Sequence, residues 1–162
     1  MNIPVKPLSL GGFALALLCF LFPWVSVSCP GQSAQLFRLT GVQLAMGTSV
    51  EEPSLFGSSS QRKIPGEPLA LAALGCGVVG LIMALVSGRG AKIVAAVVAG
   101  AGTLVLLLLK SKVEGDIARE AQGMLEAHWE PGYWIAWVGL VAALLGNYLA
   151  WKSMGPEKGE AT

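Results

Sequence analysis

The sequence predicts an all-α membrane protein, in which four transmembrane helices form a bundle with a β-prone first outer loop and an amphipathic helix in the second outer loop. Of the 162 residues, 54% are hydrophobic and only 13% are charged, whereas a soluble domain carries roughly 25% charged residues. Mean hydropathy is +0.64. The charged residues all lie between or outside four long uncharged segments, so we expect a single membrane domain over residues 1–162.

The four uncharged segments give the positions of the transmembrane helices. A hydrocarbon core about 30 Å thick requires about 20 apolar residues in helical conformation. The third segment is shorter, and it lies between Lys92 and Lys110, whose long side chains can extend along the helix to the headgroups. We therefore predict transmembrane helices over residues 8–24, 68–87, 92–110 and 132–151.

The first of these segments has a second interpretation. Lys6, the apolar residues that follow and the run from Ser26 to Cys29 are similar to a bacterial signal peptide that ends at a lipoprotein cleavage site, where Cys29 would be acylated. Ser26 stands where such sites prefer Leu. We expect an uncut helix, with the lipoprotein signal as the alternative.

The distribution of Lys and Arg predicts the orientation, because cytoplasmic segments are enriched in these residues. The two termini and the short turn between the second and third helices, counted with Lys92 at the start of the third helix, hold five of the eleven Lys and Arg residues in a short length of chain. The two long loops, counted with Lys110 at the end of the third helix, hold the other six in a much greater length, together with eight of the ten acidic residues. We therefore expect both termini in the cytoplasm and the loops over residues 25–67 and 111–131 outside.

Small residues indicate where the predicted helices contact one another. In lipid, helices associate where small side chains let the backbones approach. Only residues 87–91 separate the second and third helices, so these two are predicted to form a tight antiparallel hairpin. The predicted packing residues are Ala72, Cys76, Gly80 and Ala84 in the second helix, Ala96 and Gly100 in the third, and Gly139 and Gly146 in the fourth.

The first outer loop contains two β-prone stretches. Residues 25–29 alternate apolar and small polar side chains, and residues 36–45 form the second stretch. Such alternation is typical of strands. We expect a small antiparallel hairpin on the membrane surface, with Gly41 at a bulge or a close backbone approach.

The second outer loop is predicted to contain an amphipathic helix over residues 112–129. Its apolar residues recur at three- and four-residue spacing with charged residues between them, which is the pattern of a helix with one apolar face. We expect the helix to end before Pro131, because proline disfavours the helical conformation in the preceding residue. The apolar face should lie on the bilayer, on the first-loop hairpin or on a partner protein, and its predicted partner-binding residues are Val113, Ile117, Met124, Leu125 and Trp129.

The sequence offers little for catalysis, transport or nucleic-acid binding. It contains no zinc-protease, paired-cysteine, nucleophile-elbow or phosphate-loop motif. Apart from Lys92 and Lys110 at the two ends of the third, no charged residue falls inside a predicted span, although such residues usually mark a transport pathway. A net charge of +1 excludes the clustered basic surface that nucleic acid requires. We therefore expect a protein that is not an enzyme and holds no cofactor of its own.

His128 supports one alternative. It is the only histidine and is next to Trp129, at the predicted outer headgroup level. A neutral imidazole there could ligate a haem or chlorophyll-type metal, but a lone histidine cannot form a metal site by itself. The alternative function is therefore a pigment- or haem-binding membrane subunit in which a second chain completes a site at His128 and the nearby aromatic residues.

The layout resembles the claudin-like tetraspan plan, whose signature sets one Trp and two Cys in the first outer loop. Trp24 and Cys29 match the first elements of that signature, but loop 25–67 has no second cysteine, so the family's loop disulfide and its paracellular sealing do not carry over. Residues 24–31, 40–45 and 131–134 are also similar to stretches of uncharacterised small bacterial membrane proteins, which implies a bacterial inner membrane. We expect an accessory or scaffold subunit that contacts lipid and other integral membrane subunits.

Overall fold

The computed structural model describes residues 5–28, 35–52, 60–86, 88–120 and 126–153. This part of the chain is mostly helical. The elements in chain order are α1 Val5–Cys19, β1 Pro23–Ser28, β2 Gln35–Thr40, α2 Gly41–Met46, β3 Thr48–Glu52, β4 Ser60–Ile64, α3 Pro68–Leu85, α4 Arg89–Glu120, β5 Glu126–Trp129 and α5 Pro131–Ser153.

Within the described residues, three helices are long and apolar enough to cross a membrane. They are α3, the Arg89–Ile117 part of α4, and α5. The apolar part of α1, Leu8–Cys19, is shorter and rises only about 18 Å at 1.5 Å per residue. The three long helices indicate a membrane protein.

The helix predicted over residues 8–24 ends earlier than expected. After Cys19 the backbone N–H of Phe20 bonds back to the carbonyl of Leu17, and strand β1 begins at Pro23. Proline disfavours the helical conformation in the residue before it. The indole N–H of Trp24 donates to the carbonyl of Cys19 at 2.8 Å, so Trp24 caps the helix from the strand instead of continuing it.

The four helices other than the short α2 contact one another in a ring. Helix α1 packs against α5 and α3, and α4 packs against α3 and α5. A close backbone approach joins α1 to α5, where a Cβ atom added to Gly12 would lie 2.5 Å from the carbonyl oxygen of Gly139. Glycine at both positions therefore permits this contact.

Strand β1 lies at the centre of a three-stranded antiparallel sheet in the order β2-β1-β5. The β1–β2 pair joins the two stretches that the sequence predicts to be β-prone, but helix α2 replaces the second half of the later stretch. Thr40 and Gln43 start that helix, because each side chain accepts a hydrogen bond from the other residue's backbone N–H, the arrangement called a capping box. The close approach predicted at Gly41 is confirmed, since a Cβ atom there would lie 2.7 Å from Cε2 of Trp24.

The prediction of an amphipathic helix over residues 112–129 is wrong. Residues 112–120 continue α4 without a break, and residues 126–129 form β5, which pairs with β1. The residues from Trp24 to Val27 are all buried, and a buried strand must hydrogen-bond its backbone groups on both edges. Pairing with β5 satisfies the second edge, and this tertiary requirement outweighs the helical spacing of the apolar residues.

A further hairpin, formed by β3 and β4, lies between α2 and α3 in the sequence. Strands β3 and β4 pair antiparallel, with Thr48 opposite Ile64. Next to it, the backbone N–H of Glu67 donates to the carbonyl of Leu44 at 2.7 Å, which joins the start of α3 to α2. The sequence analysis did not predict this hairpin.

Candidate functional site

Trp24 joins the sheet to the helices. Its side chain is fully buried, and its ring centroid lies 4.3 Å from that of Phe20 and 5.8 Å from that of Tyr133. The hydroxyl of Tyr133 donates to the carbonyl of Leu106 at 2.9 Å. One aromatic cluster therefore connects β1 with α1, α4 and α5, and we call the sheet together with these helix ends the sheet end.

Trp129 holds the last turns of α4 against the sheet. Its indole N–H donates to Glu114 Oε1 at 2.9 Å, and its ring centroid lies 4.5 Å from that of Tyr133. Glu114 also pairs with Lys110 at 3.1 Å. The C-terminal part of α4 is thereby fixed to β5 by a charge-assisted hydrogen bond, which is stronger than a neutral one.

Two ion pairs join segments of the sheet end that are distant in sequence. Lys112 on α4 contacts Glu67 at 2.7 Å, just before α3, and Arg38 on β2 lies 4.0 Å from Glu130, just before α5. Partly exposed pairs contribute little to stability, but these two neutralise charges at the surface and fix how the segments meet.

Three of the five residues predicted to bind a partner contact the chain's own core. Val113, Ile117 and Trp129 are half-buried and pack against the buried hydrophobic cluster. Met124 and Leu125 lie outside the described residues. A partner-binding role for these five residues stays a prediction.

His128 lies in β5 and is exposed. Ser26 on β1 is opposite both His128 and Arg38, so the three residues form one row across the sheet. The described ranges contain no group of three or more His, Cys, Asp or Glu residues that could hold a metal ion. Ligation of a haem or pigment by His128 stays a prediction.

The small residues of α3 divide between two faces. Gly80 is buried, and a Cβ atom there would meet the ring of Phe13 on α1. Cys76 faces α4, since a Cβ atom added to Gly102 would lie 3.2 Å from its Cβ. Ala72 is exposed and Ala84 is half-buried. The buried face of α3 contains Ala70, Ala73, Gly77 and Gly80.

The small residues of α5 face α1. Gly139 contacts Gly12, and a Cβ atom on Gly146 would lie 3.0 Å from the backbone nitrogen of Ser9. On α4, Ala96 is half-buried, and a Cβ atom on Gly100 would meet only Leu144, at 3.9 Å. The sequence analysis missed the α1–α5 contact, although Gly12 and Ala16 in the first apolar segment were its available signal.

Sequence reasoning also missed an apolar groove between α1 and α5 at the sheet end. Its volume is about 420 Å³, and Glu130 supplies a carboxylate among its otherwise mostly apolar walls. Segments more than one hundred residues apart form the groove, so no local pattern could indicate it. The lining residues are Leu15, Cys19, Phe22, Pro23, Glu130, Pro131, Gly132 and Ile135.

Comparison with known proteins adds no family to this description. No protein-family model matches the sequence, and no curated protein matches it either. The function must therefore be argued from the geometry of the chain itself.

Proposed function

We propose that this protein is a non-enzymatic accessory or scaffold subunit of a larger membrane protein complex. In this proposal all four long helices cross a bacterial inner membrane in a claudin-like layout, with both termini in the cytoplasm and the sheet end outside. Helix α1 is short for a span, but the exposed apolar side chains of Leu21 and Phe22, 66% and 60% exposed, extend its apolar surface toward the sheet. Local bilayer thinning can accommodate the remaining difference at modest cost.

The rigid attachment of the sheet to the helix ends carries this proposal. Trp24 and Trp129 anchor the sheet through buried or half-buried rings, and β2 and β5 are its two edge strands within the described part of the chain. An edge strand presents unpaired backbone groups that can accept another strand. A firmly held surface with available edges suits docking to another protein.

The exposed side of α3 supports a second contact, within the membrane. Ala72 and Gly75 are exposed, and a Cβ atom added to Gly75 would meet nothing within 4 Å. A helix of another subunit can approach closely where side chains are this small. We call this surface, formed by Ala72 and Gly75, the α3 flank.

Replacement of Gly75 by Leu tests the proposed contact. The wild-type chain, purified from its native membrane in mild detergent, should form a stoichiometric complex with at least one other integral membrane protein, as measured by native mass spectrometry. Gly75→Leu should remain folded, because its position is open, yet release the complex. Ala101→Leu, at an exposed position on α4, is the matched control and should retain it.

Two results would contradict the accessory role. The first is a wild-type chain that remains alone in mild detergent and after chemical crosslinking in its native membrane. The second is a visible absorbance band in the purified protein that disappears in His128→Ala, which would favour the pigment- or haem-binding alternative. A complex that survives Gly75→Leu but is lost when Arg38 on β2 is changed to Glu would locate the contact at the sheet instead of the α3 flank.

A further inference from the structure

Buried polar groups cluster at the end of the helices opposite the sheet. Ser9, Lys92 and Asn147 are 2%, 5% and 0% exposed. Within the described part of the chain, Ser9 Oγ, Asn147 Oδ1 and the indole nitrogen of Trp151 are buried without a hydrogen-bond partner. Because unpartnered buried polar atoms are rare and costly, this end of the helices, which we call the polar end, requires an explanation.

Contacts between the helices bring these groups to one end. Ser9 lies beside Gly146 of α5, the residue that precedes Asn147, since a Cβ atom added to Gly146 would lie 3.0 Å from the Ser9 nitrogen. The ammonium of Lys92 donates to the carbonyl of Ala84 in the last turn of α3 at 2.9 Å. The guanidinium carbon of Arg89 lies 5.8 Å from the ring centroid of Trp151. All four long helices therefore contribute to the polar end.

The charge of Lys92 is only partly compensated. Its ammonium has three donors, and the structure shows one acceptor for them, the Ala84 carbonyl. Burying a charged group costs much free energy unless that group is paired. The sequence has no acidic residue between Glu67 and Glu114 or between Glu130 and Glu157, so no described residue of the polar end is a carboxylate.

Two further features add positive potential at the same place. Lys152 follows Trp151 directly and is exposed. Helix α4 begins at Arg89, and the first N–H groups of a helix carry partial positive charge and favour anions. For the donors at this end, the Lys92 ammonium and the Trp151 indole N–H, the complementary ligand is an anion with several acceptor oxygens. Asn147 Oδ1 is an acceptor and is not satisfied by an anion.

We propose that the polar end binds the phosphate of an anionic phospholipid. Basic pockets between helix ends are typical sites for such headgroups. Exposed apolar side chains next in sequence to Ala84 and Lys92, namely Leu85 at 66% exposure and Ile93 at 44% exposure, offer a surface to the acyl chains. A free phosphate ion would make no use of that surface, so the lipid is the better fit.

Competition between two lipids tests this assignment. The full chain in detergent is mixed with equal amounts of phosphatidylglycerol and phosphatidylcholine of identical acyl chains, and bound lipids are counted by native mass spectrometry. The wild type should prefer phosphatidylglycerol, and Lys92→Met should lower that preference about fivefold, because Met has a similar length but no charge. Lys110→Met, near the sheet end, is the matched control and should leave the preference unchanged.

A second variant keeps the test valid if Lys92→Met does not fold. Trp151→Phe retains an aromatic ring but removes the unpartnered donor, so it should lower the preference about threefold. Equal binding of the two lipids by the wild type would overturn the proposal, as would an unchanged preference in every folded variant. Displacement of the lipid by inorganic phosphate alone would identify a free-anion site and would also overturn the lipid assignment.

Discussion

Three glycines of α3 have different surroundings, and replacing each with alanine separates helix packing from helix propensity. A Cβ atom on Gly75 meets nothing within 4 Å, and one on Gly77 lies 2.9 Å from Cδ2 of Leu17, the movable end of a side chain. A Cβ atom on Gly80 meets three atoms of the Phe13 ring. Phe13 is fully buried, so its ring has little room to move away.

These contacts set the expected order of stabilities. Gly75→Ala should raise the free energy of unfolding by up to about 1 kcal/mol, because alanine favours the helix more than glycine does. Gly80→Ala should lower it by about 1–3 kcal/mol through overpacking. Gly77→Ala should fall between them, since rotation of Leu17 relieves most of its contact.

Unfolding by denaturing detergent in mixed micelles, followed by intrinsic fluorescence, measures the series. All three variants make the same chemical change on the same helix, so each is a control for the others. If Gly75→Ala and Gly80→Ala unfold at the same detergent fraction, the packing of α1 on α3 through Phe13 is not as the structure shows it.

Three further predictions concern the sheet and the orientation. Trp129→Phe should lower the free energy of unfolding by about 1 kcal/mol through loss of the hydrogen bond to Glu114; in the same unfolding assay, a cost that is undiminished when Glu114 is already Ala, which has no acceptor, would argue against that bond. Gly41→Ala should destabilise by about 1–3 kcal/mol, because a Cβ atom there would lie 2.7 Å from Trp24, and wild-type stability would show that the close approach can relax. Reporter fusions after Gly90 and after Thr162 should give cytoplasmic signals and a fusion after Ser59 an exterior signal; an exterior signal at Thr162 would mean that the predicted orientation or number of spans is wrong.

The uncharged segments located the three long helices because lipid imposes a simple rule. Charged side chains are costly in the hydrocarbon core and each span has a minimum length, so the bounds of α3 and α5 follow from charge positions alone. The same rule allowed the first helix to extend to residue 24, because no charged residue lies between Lys6 and Arg38. It could not show that Trp24 belongs to a strand, since β1 pairs with β2 on one edge and, on the other, with residues 126–129, about one hundred positions later in the chain.

The prediction for the second outer loop was wrong for a related reason. Helical spacing is a local property, and it correctly describes residues 112–120 as helix. Strand pairing depends on a distant partner, and four residues are too few to show the alternation of a strand against a helical background. Composition also does not reveal that Tyr133 is fully buried against the rings of Trp24 and Trp129.

The two ends of the helices differ in how their charges are balanced, and this difference constrains what each end can bind. At the sheet end, Lys112 and Arg38 lie beside Glu67 and Glu130, so recognition there must depend mainly on backbone edges and shape. At the polar end, Lys92 is buried with a carbonyl as its described partner, and in the lipid proposal a phosphate supplies the opposite charge. If both proposals hold, lipid at the polar end would stabilise the helices without altering the sheet end. Adding phosphatidylglycerol should therefore raise thermal stability while the composition of any complex formed through the α3 flank or the sheet stays the same.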